Sequence, residues 1–331
     1  MTRNAPEAPL SPAQLGFLGE LERLAASPVS VLIRGEHGVG KSRAAGLLHR
    51  RSERASGPLV VVDLRALAPS LMEAELFGHE QGAFTGAHKA RLGRVRRADG
   101  GTLLLDGIED LALEAQGKLL RVLQERVVEP LGAEEPQPVD VRIVATAGPQ
   151  LNEALDQGRF REDLYFRLAV VEVQAPALRA RQEDLPGLCA EILAERAERC
   201  GVAPRALGQG ALDRLRAHPW PGNVRELENA LERVLVLGAG SNEPVAAQEF
   251  DFLEDALADA DVRLACQILA HGIGLDAMDL TLMEQALEQE RDNHSAAARA
   301  LGLSRKAFNY RLRKLQEESS RDSTQESDGD A

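Results

Sequence analysis

A chain of 331 residues, 44% hydrophobic and 27% charged, carries apolar material for about two folded domains and is neither fibrous nor wholly disordered. Its three cysteines, Cys189, Cys200 and Cys266, are an odd number without CxxC spacing, which argues against a disulfide framework or a zinc site and leaves them as ordinary buried thiols. No stretch approaches the roughly 18 apolar residues of a membrane span, and the N-terminal segment with Arg3, Glu7 and Pro12 lacks the apolar centre of a signal peptide, so the expectation is a cytoplasmic protein without a membrane partner. The net charge of −13 speaks against nucleic acid only as an average, because local fields decide binding.

In chain order, Pro28 to Ile33 is a short apolar run that leads into a glycine turn and then a helical stretch, Lys41 to His49. Leu59 to Val62, Thr102 to Leu105 and Val141 to Ala145 are three further apolar runs, with helix-like stretches between them. Apolar runs alternating with helices predict a parallel α/β sheet. Beyond Pro176 the pattern is helical throughout, over Asp184 to Arg199 and Gly210 to Leu237, and predicts an all-helical lid. Residues from about Ala239 to Asp279 read as a partly helical linker, and two helices split by Gly302 follow.

The turn after the first strand reads Gly35, Glu36, His37, Gly38, Val39, Gly40, Lys41, Ser42, which fits G-x-x-x-x-G-K-[ST] in the strand-to-helix setting that the mechanism needs. Glycines let backbone N–H groups curl around phosphates, and the helix N-terminus adds a favourable field. Lys41 is expected to reach the terminal phosphates, and Ser42 can ligate Mg2+. Thr102 to Asp106 is an apolar strand ending in a carboxylate, the second metal-side element of a P-loop NTPase. ATP and Mg2+ are the cofactors expected.

More specific is Glu75, Leu76, Phe77, Gly78, His79, Glu80, Gln81, Gly82, Ala83, Phe84, Thr85, Gly86, Ala87. It resembles the ELFGHE–GAFTGA element of bacterial sigma-54-dependent activators, the AAA+ enhancer-binding proteins. Gly100 to Asp106 resembles the second nucleotide motif of that family, Phe160 to Leu168 its arginine-finger segment, and Trp220 to Leu227 its sensor II helix. The resemblance implies a ring, commonly a hexamer, with ATP between subunits and a GAFTGA loop, Gly82 to Ala87, that remodels sigma-54 RNA polymerase holoenzyme. It also implies that Arg161 and Arg167 reach a neighbour's γ-phosphate and that Arg225 reports the nucleotide state. Phe84, flanked by small residues, suits transient docking.

Three departures from the family pattern bear on hydrolysis and are expected to converge on one site. The Asp-Glu pair becomes Asp106-Gly107, the strand-end Asn aligns with Asp63, and the sensor I Thr-Asn aligns with Ala147-Gly148. Glu109 and Asp110 are expected to lie past the strand end and away from the γ-phosphate. Two expectations follow. Either the protein hydrolyses ATP with Asp63 supplying the displaced carboxylate, or it binds ATP without turnover and acts as a gated partner or negative regulator in a mixed ring beside a competent paralogue.

From Arg291 to Leu315 seven cations oppose one carboxylate. Asn293 to Leu312 resembles the Fis-type helix-turn-helix that closes these activators. Small residues at Ala296 to Ala298 allow two helices to cross closely, Gly302 makes the turn, and Ser304 caps the second helix. That helix is expected to bring Ser304, Arg305, Lys306, Asn309, Arg311 and Arg313 to an upstream DNA site, with Ala307, Phe308 and Leu312 packing it. The domain reading is therefore an N-terminal extension over residues 1–14, the AAA+ α/β subdomain over 15–172 and its helical lid over 173–238. A linker over 239–279, the helix-turn-helix over 280–316 and an acidic disordered tail over 317–331 complete it. With only about ten to fifteen residues before the ATPase core, no sensing domain is expected there, and control is expected from a separate protein, expression level or nucleotide state.

Overall fold

The computed structural model describes residues 10–84, 89–241, 243–253, 275–290 and 293–315. Two compact units divide at Phe250 and Asp251. The first opens with helix α1 (Pro12–Ala25), whose first turn is capped by Ser11, followed by strand β1 (Val31–Arg34) and helix α2 (Lys41–Arg50). Strand β2 (Leu59–Asp63) and helix α3 (Pro69–Phe77) come next, then a short antiparallel pair, β3 (Gly78–His79) with β4 (Arg91–Leu92). One-turn helix α4 (Arg94–Arg97), strand β5 (Thr102–Asp106) and helix α5 (Leu113–Glu125) precede a second small pair, β6 (Val127–Val128) with β7 (Gln137–Pro138). Strand β8 (Arg142–Ala147), helices α6 (Gln150–Asp156) and α7 (Glu162–Leu168) and strand β9 (Val171–Gln174) complete the α/β part.

The main sheet is wholly parallel, in the order β2-β5-β8-β1-β9. β5 and β8 lie inside it and are buried along almost their full lengths, which is why they read as continuous apolar runs rather than alternating ones. The edge strand β9 has no counterpart among those runs because its pattern, Val171–Gln174, alternates exposed and buried positions over only four residues. One core packs β2, β5 and β8 against α3, α5, α6 and α7, and a second packs β1 against α1 and α2. Register sets Asp63 opposite Asp106, and Asp106 opposite Thr146, so polar groups gather at the carboxyl ends of three adjacent strands. Ligands of open parallel sheets bind at that end.

The lid consists of α8 (Leu185–Cys200), α9 (Gln209–Ala217) and α10 (Asn223–Leu237). Sequence reading treats Gly210 to Leu237 as continuously helical, whereas His218 to Gly222 breaks it. There Trp220, fully buried at positive φ, donates from Nε1 to the Leu215 carbonyl. The lid unit continues past Leu237: Val245 bridges to Leu207, and Phe250 is fully buried. Cys189 is buried, and burial pushes its thiol up to about 12, but Cys200 is exposed at the last turn of α8, against the expectation of buried thiols. Cys266 lies outside the described residues.

The second unit contains α11 (Leu275–Gln289), α12 (His294–Ala300) and a helix over residues 305–315. Met283, Ala286, Ala297, Ala298, Phe308, Leu312 and Leu315 form its core. Ala307 is exposed rather than packed, because the buried face of the last helix runs through Phe308, Leu312 and Leu315 at helical spacing. Among the described residues no helix is long and apolar enough to cross a membrane.

Candidate functional site

The loop between β1 and α2 takes its shape from glycines: Gly38 at φ 77° and Gly40 at φ 99° occupy backbone conformations that side chains disfavour. Lys41 Nζ donates to the carbonyls of Gly35 at 2.7 Å and Glu36 at 2.8 Å, so the ammonium is held inside the loop it closes. Burial lowers the Lys41 pKa, while the carboxylates of Glu109 and Asp106 oppose that shift. A half-buried cation ringed by carbonyl groups and left-handed glycines fits a phosphate anion. Ser42 Oγ donates to Asp106 Oδ2 at 2.7 Å, which joins the two residues expected to hold Mg2+. The other carboxylate oxygen of Asp106 accepts from Thr146 Oγ1, and that hydroxyl accepts from the Gly107 amide at 3.1 Å.

Lid and loop meet closely. A Cβ on Gly38 would stand 2.2 Å from the Gly222 carbonyl oxygen, and the Val224 amide donates to the Gly38 carbonyl at 3.0 Å. Asn223, fully buried at φ 52°, donates from Nδ2 to Glu36 Oε2 and to the His37 carbonyl, each at 3.0 Å, and accepts from the Leu178 amide at 2.8 Å. Arg179 pairs with Glu36 through both guanidinium amines, and with Asn223 and Lys41 it holds the Glu36 carboxyl at about 2. Sequence reasoning passes over Asn223 and Arg179. Their signal is local, since an Asn directly after Pro-Gly favours a left-handed cap, but the Glu36 partner is remote in sequence. Arg225, early in α10, backs the loop with its Cβ beside Gly38, and its charge acts on Lys41. A cleft of about 1020 Å³ opens beside Val39 and Gly40, walled by Phe17, Leu18, Leu188 and Val224.

The three departures do converge. Asp63 Oδ1 accepts from the Arg65 amide at 3.2 Å and from Arg65 Nε at 3.4 Å, while Arg65 reaches Asp106 Oδ2 at 3.7 Å. Despite burial, the Asp106 and Asp63 charges raise the Arg65 pKa. Asp63 is thus engaged in capping its own turn and holding Arg65. Glu109 lies past the end of β5, as expected, but its side chain turns back toward the neighbouring strand. Gly107, at φ 77°, turns the chain at the strand end, and the single turn Ile108–Asp110 brings the Glu109 carboxylate back to the end of β8. Its Oε1 accepts from the Gly148 amide at 2.9 Å.

The remaining residues are distributed elsewhere. Arg161 forms a two-point pair with Asp163, at 3.0 and 2.8 Å, before the first turn of α7, and Arg167 is exposed on the last turn. Gly82 and Ala83 lead to Phe84, which is 38% exposed and packs edge-on against His79 with ring centroids 5.0 Å apart. Thr85, Gly86 and Ala87 lie outside the described residues. In the second unit Gly302 turns at φ 67°, and Ser304 Oγ accepts from the Ala307 amide at 3.2 Å. Arg305, Lys306 and Arg313 are exposed. Asn309 Oδ1 lies 2.7 Å from His294 Nδ1, and Arg311 pairs with Asp279, so two of the expected DNA contacts also hold the unit together.

A P-loop parallel sheet beneath a helical lid, accompanied by a helix-turn-helix, defines an AAA+ transcription regulator. Residues 11–174 match the sigma-54 interaction domain, 179–254 the AAA+ ATPase lid domain, and 275–315 the Fis family of bacterial regulatory proteins. The chain is 46% identical over 292 residues to the C4-dicarboxylate transport transcriptional regulatory protein DctD of Pseudomonas aeruginosa, covering 88% of this chain and 60% of that one. It is 42% identical over 307 residues to the transcriptional regulatory protein ZraR of Escherichia coli, covering 91% and 67%. The crystal structure of NtrX from Brucella abortus in complex with ADP aligns with a TM-score of 0.69 at 34% identity, over 92% of this chain and 69% of that one. The chain belongs to the sigma-54-dependent transcriptional regulators. It spans about three-fifths of the length of DctD.

Proposed function

We infer that the chain binds ATP between P-loop and lid, binds upstream DNA through its helix-turn-helix, and couples nucleotide state to engagement of sigma-54 RNA polymerase. The observation that carries this reading is the clasp of Asn223 and Arg179 on Glu36, which ties the lid to the loop that Lys41 closes. A change at the phosphates is therefore felt by the lid. Gly35 to Ser42 would cradle the triphosphate, and the apolar walls of the cleft beside Val39 suit a flat purine. Ser42 and Asp106 would hold Mg2+, which neutralises phosphate charge. A crystal structure of NtrX in complex with ATP, 34% identical to this chain, supports the choice of nucleotide.

Phe84, within the segment Gly82 to Ala87, is the candidate contact with sigma-54. Arg161 and Arg167 stand exposed at α7, where a second subunit of a ring would present them to a neighbour's nucleotide. Arg305, Lys306 and Arg313 are the exposed cations for DNA, and paired units would read a two-fold site. Gly107 favours a second reading, a nucleotide-gated regulator without turnover that acts beside a competent paralogue. A fluorescent ATP analogue tests the nucleotide site: wild type binds it and Lys41→Ala does not, and equal binding by both would refute the assignment. Open-complex formation by sigma-54 polymerase with this protein alone separates an activator from a negative regulator.

A further inference from the structure

We propose that Glu109 is the carboxylate that takes the proton of the attacking water, moved two residues along the chain from the position that Gly107 leaves bare. The proposal rests on the ATP-binding reading above. Its first support is placement: Glu109 Oε1 is fixed by the Gly148 amide at 2.9 Å, while Oε2 is buried and has no hydrogen-bond partner among the described residues. A buried carboxylate oxygen without a donor is costly, and a donor that arrives during function, such as a substrate water, would offset that cost. This oxygen belongs to the group whose charge acts on Lys41 more strongly than that of Asp106, which sets it in the field of the phosphate-binding lysine.

The second support is that the departures depend on one another. A Cβ on Gly148 would stand 2.9 Å from Glu109 Oε1 and displace the carboxylate from its seat. A side chain at position 107 would start from φ 77° with its Cβ 3.2 Å from Arg65 Nε, so the space is already taken by the cation that Asp63 holds. Ile108, fully buried in the core, pins the turn that aims Glu109 back at the strand ends. Gly107, Glu109, Gly148, Asp63 and Arg65 therefore form one rearranged site rather than a set of losses.

The reaction balances without a further reagent. Water oxygen bonds to the γ-phosphorus as the bond from phosphorus to the β–γ bridging oxygen breaks, and ADP leaves with that electron pair. Glu109 Oε2 accepts the water proton and releases it to solvent or to the departing phosphate. Asp63, turned toward Arg65, has no part in that transfer.

The test uses the full chain, over concentrations that span its assembly, with Glu109→Gln, Glu109→Asp and Gly148→Ala. Phosphate release by Glu109→Gln is expected to fall by about 10²-fold or more, with Glu109→Asp in between, while a fluorescent ATP analogue binds all three within about threefold of wild type. ADP with aluminium fluoride and Mg2+, which mimics the transferring phosphoryl group, should bind wild type more tightly than ADP alone and lose that advantage in Glu109→Gln and Gly148→Ala. Turnover by Glu109→Gln within threefold of wild type overturns the proposal. So does wild type that binds the ATP analogue yet releases no phosphate, an outcome that leaves the nucleotide site standing. Wild type that binds no nucleotide overturns the functional reading and this proposal with it.

Discussion

Replacing Asn223 with alanine tests the coupling of lid to P-loop most directly. The substitution leaves the Leu178 amide without its acceptor inside the protein, at a cost of about 1–3 kcal/mol, and removes two bonds to Glu36 and His37 worth about 1 kcal/mol each. It also places alanine at φ 52°, at about 1 kcal/mol. Partial relaxation and water entry reduce the total to about 3–5 kcal/mol. Asn223→Gly loses the same bonds but accepts the backbone angle freely, so it should be the milder change by about 1 kcal/mol. Trp220 is the single tryptophan of the chain, and it is buried three residues away. Urea unfolding followed by its fluorescence reads the lid itself, and nucleotide affinity measured alongside should fall. An Asn223→Ala protein within about 1 kcal/mol of wild type, with unchanged affinity, would refute the clasp, and equal losses in the two variants would refute the strain argument.

Three further outcomes follow from the same geometry. Glu36, held at about 2 against an ordinary 4.5, adds stability that is complete above pH 4.5 and drains away as pH falls toward 2. Because Arg179 is half exposed, screening limits its share to about 1 kcal/mol, and Arg179→Ala should flatten the dependence of the urea midpoint between pH 5 and 3. Gly38→Ala should weaken nucleotide binding about tenfold or more, since its Cβ meets the Gly222 carbonyl at 2.2 Å, whereas Gly40→Ala, in open space, should weaken it less. Equal effects would show that the lid does not bear on the loop. Arg305→Ala combined with Lys306→Ala should lower DNA affinity and reduce the slope of log affinity against log salt by about 1 for each phosphate that is no longer neutralised. An unchanged slope would place the DNA surface elsewhere.

Much of the fold is legible from local pattern. β5 and β8 are buried along almost their full lengths, so their residues have to be apolar without interruption, and the glycine spacing of Gly35 to Ser42 admits few backbone paths. The helix-turn-helix is legible for the same reason, because small residues at the crossing and Ser304 at the cap act within a few positions of each other. β9 is not legible, being a short edge strand with alternating burial, and Ala307 stands on the exposed face against expectation because composition alone does not fix the phase of a short helix.

What the sequence determined by itself is the set of chemical groups and their order: a phosphate loop, a strand-end carboxylate, a missing neighbour to that carboxylate, and a basic terminal helix. Which groups meet was decided by the tertiary structure. The Glu36 partners lie far along the chain, and Glu109 returns to Gly148 only because Gly107 reverses the backbone while the sheet sets β5 beside β8. Spacing along a chain fixes contacts within a turn or two, whereas the distance between residues 109 and 148 is a property of strand order and register, which emerge only once the two faces of the sheet are covered.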